Sequence, residues 1–210
     1  ANTAQAMYAL SINQTADLIE VIGPTNSTLV QGNMGTGKTS LLHILAARLP
    51  THTPVYIDGT TMVDSADMFM MKYSLDGKTF NTVPLEDLGL HMPDQPVILM
   101  FDELGKMTRS AQLATMRVQL ERKHGKMTLH PDSIVFSTTN LGSEGVGDLL
   151  PAHARNRLTV VTMRKPDNME WIEWGIDNDI DPALLGFCKE KPELFHSFEQ
   201  YENPEENHYI

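Results

Sequence analysis

Cysteine is nearly missing from this chain: its 210 residues contain one, Cys188. A lone thiol closes no internal disulfide and builds no thiolate metal cluster, so the fold rests on neither an oxidising compartment nor a structural zinc site. Aromatic residues are sparse at 7%, and no apolar stretch is long enough to cross a bilayer. The start of the chain has no basic segment leading into an apolar one, as a secretory leader would. These absences predict a soluble protein with no membrane partner and a cytoplasmic home. Positive charge is also short, with 16 Lys and Arg against 27 Asp and Glu, a formal net charge of −11. That balance argues against nucleic acid held by the whole surface. The one opening for it is local: Lys106, Arg109, Arg117, Arg122, Lys123 and Lys126 crowd a stretch in which the only acid after Glu103 is Glu121. A solvated or neighbour-facing helix side is the favoured reading of that stretch.

What the chain does contain is an alternation of short apolar runs with helical patterns, and this predicts an α/β fold. Ile12, Leu18, Ile19 and Ile22 stand at helical spacing and stop at Gly23-Pro24. Thr28-Leu29-Val30 reads as a first strand, Ser40 to Leu49 as an amphipathic helix closed by Pro50, and Val55-Tyr56-Ile57 as a second strand. Ala66 to Lys72 reads as helical, followed by a hairpin signal at Asp76-Gly77. Val97 to Phe101 is too apolar for an edge and predicts a central parallel strand buried on both faces. A helix over Ser110 to Lys123, a strand at Ile134 to Phe136, a short helix over Asp148 to Asn156 and a strand at Leu158 to Val161 complete the pattern. Beyond Pro166 the sequence reads as helical. Asp167 and Asp181 are expected N-caps, the second with Pro182 at the first helical position. Trp171 and Trp174, three apart, are expected to share one face and pack in a core. His124 and His130 fall in an expected loop.

One contiguous segment carries chemistry outright. Gly32-Asn33-Met34-Gly35-Thr36-Gly37-Lys38-Thr39 fits G-x-x-x-x-G-K-[ST] and lies between a strand and the helix opening at Ser40, where a phosphate-binding loop belongs. Its glycines let successive N–H groups point inward at phosphate oxygens, and the helix dipole adds positive potential there. Lys38 supplies a point charge for the phosphates, and Thr39 a hydroxyl for Mg²⁺. The partner of such a loop is an acid at the C-terminal end of a neighbouring buried strand. Val97 to Glu103 ends on two. Asp102 is expected to hold Mg²⁺, and Glu103 to orient and deprotonate an attacking water. The second carboxylate favours hydrolysis over phosphoryl transfer to a substrate. Ser133 to Asn140 is an apolar strand turning polar at its end, where open α/β sheets hold ligands, so Asn140 is expected to reach the γ-phosphate or the water.

In this order, the loop with Lys38, the acids Asp102-Glu103, the polar strand end at Asn140 and the basic Arg155-Asn156-Arg157-Leu158 resemble the AAA+ ATPases over roughly Leu29 to Pro166. Within them the chain is most similar to the MoxR-like branch and its phage-encoded relatives. The interruption around Asp76-Gly77 carries that finer resemblance, with Leu120-Glu121-Arg122-Lys123-His124-Gly125 and Leu129-His130-Pro131. The resemblance implies a P-loop NTPase three-layer sandwich with a five-stranded, mainly parallel sheet over residues 1–166. A short and incomplete helical lid or tail then occupies residues 167–210. It implies ATP and Mg²⁺ as cofactors, with Gly32 to Ser40 as the nucleotide loop, Thr39 and Asp102 at the metal, Glu103 as the base and Asn140 as the first sensor. Arg157 would be the finger reaching a neighbour's γ-phosphate, although Leu158 replaces the usual Phe and leaves Arg155 as the alternative. It is expected near the sheet's ligand-binding rim. No arginine follows Arg164, so either the lid is cut short or its second sensor is missing.

The function so implied is ATP hydrolysis by a homo-oligomer, a hexameric ring by resemblance, that remodels a protein or protein–nucleic-acid partner in the cytoplasm, or the host's cytoplasm if phage-encoded. Two other classes stay open: a nucleic-acid-directed ATPase of the helicase-loader or transposition-regulator type, and a nucleotide-gated scaffold with little turnover.

Overall fold

The computed structural model describes residues 9–33, 35–62, 69–73, 80–84, 93–124, 127–140 and 157–195. The expected helix over Asp148 to Asn156, the Asp76-Gly77 turn, Met34, Lys126 and Arg155 lie outside them. The chain divides into two compact units, Ala1–Lys165 and Pro166–Ile210.

The first unit opens with α1 (Ile12–Ile22), whose Ser11 forms a capping box with Gln14, followed by β1 (Ser27–Gly32). Next come α2 (Ser40–Arg48), β2 (Thr53–Asp58), the hairpin strands β3 (Phe69–Tyr73) and β4 (Phe80–Pro84), and β5 (Val97–Asp102). Helix α3 (Arg109–Glu121), capped by Thr108, leads to the two-residue strands β6 (Lys123–His124) and β7 (Met127–Thr128), then to β8 (Ile134–Asn140) and β9 (Leu158–Thr162).

Five strands form one sheet in the order β2-β5-β8-β1-β9, and all four pairings are parallel. Strands β5, β8 and β1 are interior, and every residue of β5 is buried. Because side chains alternate across a strand, β5 feeds two cores. Val97, Leu99 and Phe101 join a cluster with Met107, Ala111 and Val118 of the α3 side. Ile98 and Met100 join Ala16, Ile19, Leu41 and Leu45 from α1 and α2 on the opposite face. Helices thus cover both faces of a parallel sheet, the three-layer arrangement expected of such strands.

Several local expectations are overturned. The run expected to be helical from Ala66 to Lys72 is β-strand over its described part: Phe69 to Tyr73 pairs antiparallel with Phe80 to Pro84. Met and Lys favour helix locally, but pairing with Thr82 and Val83 across the hairpin overrides that weak preference. Helix α3 ends at Glu121 because Arg122 adopts a left-handed conformation (φ 55°), and its side chain turns inward rather than lining a solvated face. The guanidinium donates to Ser133 O at 2.7 Å and Gly23 O at 2.5 Å. His124, expected in a loop, belongs to β6 and is buried.

The second unit consists of α4 (Asn168–Asp177), α5 (Pro182–Glu190) and α6 (Pro192–Phe195). Asp167 caps α4 in a capping box with Glu170, and Asp181 caps α5 through Ala183 N. Gly175 lets α4 pass Leu185 closely, at 2.6 Å from where a Cβ would stand. Trp174, expected in a core, is 50% exposed, since the buried face of α4 runs through Ile172 and Gly175 instead.

Candidate functional site

The C-terminal ends of β1, β5 and β8 come together at one edge of the sheet, and Lys38, Thr39, Asp102, Glu103 and Asn140 converge there. Gly32 ends β1, Asn33 and Gly35 to Thr39 lie in the turn, and Ser40 is the first residue of α2. Gly35 (φ 73°) and Gly37 (φ 83°) take left-handed backbone that other residues adopt rarely. A Cβ on Gly32 would stand 2.8 Å from Met163 O and 3.0 Å from the Thr36 hydroxyl. That Thr36 hydroxyl is buried and finds no hydrogen-bond partner among the described residues.

Lys38 is 9% exposed. Its ammonium donates to Gly32 O, Asn33 O and Asn140 Oδ1, each at 2.9 Å. All three of its protons are therefore used within the site. Burial lowers its pKa, and the charges of Asp102 and Glu103 act against that shift. The bond to Asn140 joins the turn to the end of β8, 102 positions away in sequence.

Asp102 ends β5 and is 6% exposed. Its Oδ1 accepts from the Thr138 hydroxyl and, at 3.1 Å, from Glu103 N–H. Its Oδ2 accepts from the hydroxyls of Thr39 and Tyr56, both at 3.0 Å. Since the Thr39 proton points at Asp102, the lone pairs of that hydroxyl are left to face elsewhere, as a hard oxygen ligand requires. Glu103 follows in left-handed backbone (φ 51°, ψ 50°), which swings its side chain away from the line of β5. Its carboxylate lies 3.7 Å from Lys106 Nζ and is about one-third exposed. Gly59 admits this bend, because a Cβ there would collide with Asp102 O and come within 2.7 Å of Glu103 O.

These residues fit a phosphate-bearing ligand with a hard divalent cation. A glycine-bearing turn at a helix N-terminus and a buried lysine match phosphate oxygens. The cation donors are all oxygens, and no group of three His, Cys, Asp or Glu that could hold a metal is present among the described residues. Mg²⁺ suits such a set, since it takes one or two protein oxygens and completes its shell with phosphate and water.

Two residues of this network were not singled out from the sequence: Tyr56 and Thr138. Thr138 lay within the polar strand end that drew attention to Asn140. Tyr56 carried no signal, because its tie to Asp102 spans 46 positions and depends on strand register.

Arg157 is not part of the cluster. It precedes β9, and β9 runs parallel to β1 with Leu158 opposite Ser27 and Thr162 opposite Gln31. Arg157 therefore stands at the N-terminal edge of the sheet, away from the rim where it was expected. The five residues of β9 put about 16 Å of strand between that edge and the rim. Arg157 is exposed, and no hydrogen bond or ion pair joins it to another described residue.

Three members of the basic stretch have partners within the chain. Lys106 faces Glu103, Lys123 lies 3.7 Å from Glu121, and Arg122 is turned inward. Among the described residues no helix is long and apolar enough to cross a membrane.

No protein of curated function matches the chain. Among solved structures it is similar to a candidate ATPase from Cytophaga hutchinsonii, at 16% identity and a TM-score of 0.54, over 81% of this chain and 51% of that one. It is also similar to the RuvB Holliday junction branch migration motor of Thermotoga maritima, at 18% identity and a TM-score of 0.47, over 77% and 47%. The chain spans about half the length of both solved structures. At such identity the first likeness speaks for the fold alone. The model of the ATPase family associated with various cellular activities (AAA) matches residues 28–165, from β1 through the end of the sheet, and the chain belongs to that family.

Proposed function

We propose that this chain binds ATP with Mg²⁺ and hydrolyses it, working as an oligomeric motor or chaperone-like remodeller of a protein or protein–nucleic-acid partner, in the MoxR-like branch with its phage-encoded relatives. The observation that carries the hydrolytic part is the double tie across the rim, Lys38 to Asn140 and Thr39 to Asp102. It brings phosphate-binding, cation-holding and sensing groups within bonding distance of one another. When bound, ATP and Mg²⁺ supply the scissile phosphoanhydride and a cation that neutralises charge building on the transferred group.

The chain's own residues do the rest. Gly32 to Ser40, Met34 included, wrap the phosphates with backbone N–H groups. The Lys38 ammonium exchanges a carbonyl or the Asn140 amide for phosphate oxygens. Thr39 and Asp102 hold the cation between them. Glu103 takes a proton from the attacking water, and Asn140, released from Lys38, orients that water. Arg157 acts on the site of a neighbouring copy, a reading supported by its exposure and its place at the opposite edge of the sheet. Residues 1–166 serve as the nucleotide-binding core and 167–210 as part of a helical lid, in a ring that is hexameric by resemblance and cytoplasmic. The hairpin β3–β4, between β2 and β5, supports the MoxR-like branch.

Glu103→Gln tests the reading. It keeps the shape of the side chain and removes the base, so ATP–Mg²⁺ binding should stay as in the parent while turnover falls about a hundredfold to ten-thousandfold. Asp102→Asn should instead weaken the Mg²⁺-dependent part of binding. Identical behaviour of the two variants in binding and turnover would overturn the division of roles.

A further inference from the structure

We infer that Tyr56 is a positioning residue for the cation-holding carboxylate, its hydroxyl fixing the Asp102 side chain in the orientation that serves Mg²⁺. The inference rests on the reading of the site given above. Tyr56 stands on β2, the edge strand of the sheet, opposite Met100 of β5 and two positions short of the Asp58–Asp102 pair. From there its side chain extends toward the rim and places its hydroxyl 3.0 Å from Asp102 Oδ2.

At Asp102 the donors number four: the Thr138 hydroxyl and Glu103 N–H on Oδ1, the Thr39 and Tyr56 hydroxyls on Oδ2. Three of these have other duties. Thr39 belongs to the phosphate turn, Glu103 carries the candidate base, and Thr138 also accepts from the Glu103 N–H at 3.1 Å. The Tyr56 hydroxyl has no second hydrogen bond among the described residues.

Tyr56 is 47% exposed, so apolar burial gives little reason for a tyrosine here. Leu or Val would serve a half-covered edge position as well. What the side chain adds is a neutral donor on a rigid stem. A phenol hydroxyl keeps its proton at neutral pH, so it can donate to a carboxylate.

Loss of that donor should let Asp102 turn about its side-chain axis and weaken its hold on the cation, without touching the turn that grips the phosphates. The test uses the whole chain, a fluorescent non-hydrolysable ATP analogue and titration with Mg²⁺. Tyr56→Phe should bind the analogue without metal as the parent does, within about twofold, while the Mg²⁺ needed for half-maximal effect rises roughly threefold to tenfold. Combined with Asp102→Asn, it should add nothing to the Mg²⁺ requirement of Asp102→Asn alone, since the two act through one carboxylate. Tyr56→Leu should behave as Tyr56→Phe does. An unchanged Mg²⁺ requirement in Tyr56→Phe, or an equal loss of metal-free binding, would overturn the inference and leave the site reading intact. A parent protein whose analogue affinity ignored Mg²⁺ would overturn both.

Discussion

Two cations turn inward at opposite edges of the same sheet, Lys38 buried and Arg122 partly so, and they are held in different ways. Lys38, at the rim, bonds to two carbonyls of its own turn and to Asn140, with Asp102 and Glu103 close enough to favour its charge. Arg122, at the edge where β1 and β8 begin, bonds only to backbone carbonyls, those of Gly23 and Ser133. Burial alone pushes its guanidinium down to about 10, which still leaves it charged at neutral pH. Both side chains satisfy backbone oxygens in the interior. The difference lies in what else is near: Lys38 has exchangeable partners and acids around it, whereas Arg122 staples the end of α3 to the loop after α1 and the start of β8. A buried charge by itself does not mark a site. Its surroundings decide.

Substitution of the cations one by one sharpens this contrast. The largest effect belongs to Lys38→Ala, which should abolish measurable nucleotide binding in calorimetry while leaving the circular dichroism of the fold in place. Micromolar ATP affinity in that variant would break the contrast at its root. Arg157, the exposed cation beside Arg122's edge, comes next. Arg157→Ala should spare ATP binding and lower turnover roughly a thousandfold, as loss of a trans-acting arginine does in P-loop enzymes. Turnover per chain should rise with protein concentration, and mixing Arg157→Ala with Glu103→Gln chains should restore part of it. Turnover that ignored concentration, with no rescue among chains shown to co-assemble, would place the arginine outside catalysis.

Arg122→Met should act on the fold instead. Two buried carbonyls lose their donor, at about 1–3 kcal/mol each, and the melting midpoint should drop by about 5–10 °C. Nucleotide affinity of the folded fraction should not change; a selective loss of affinity would erase the distinction between the two cations. The smallest effect is expected from Arg48, whose guanidinium lies 2.6 Å from Asp17 and 3.4 Å from Glu20 in a solvent-exposed group. Arg48→Ala should cost less than about 1 kcal/mol in chemical denaturation, since exposed pairs are screened.

The sequence disclosed those parts of the molecule whose cause is local. The turn from Gly32 to Thr39 is contiguous, and the unbroken apolar run at Val97 to Phe101 has no reading but an interior strand. The capping residues Asp167 and Asp181 sit beside the helices they open. What stayed hidden depends on register between distant segments. The nearness of Tyr56 to Asp102 follows from the pairing of β2 with β5, and the edge on which Arg157 stands follows from the parallel pairing of β9 with β1. Nothing near Arg122 indicates that it leaves the helix and turns inward. The stretch from Phe69 to Lys72 reads locally as helix but pairs as strand for the same reason: its partner, not its own composition, decides its shape.

The left-handed backbone at Glu103 has a consequence for how this site can change under selection. An L-residue with a full side chain is held there at a cost of about 1–2 kcal/mol relative to ordinary backbone, and Gly59 keeps the space that makes it feasible. Asparagine and glycine are the residues that tolerate such a conformation best. The easiest substitutions at position 103 are therefore ones that stabilise the protein while removing its proposed base. A lineage selected for robustness alone would drift toward a nucleotide-binding shell without that base.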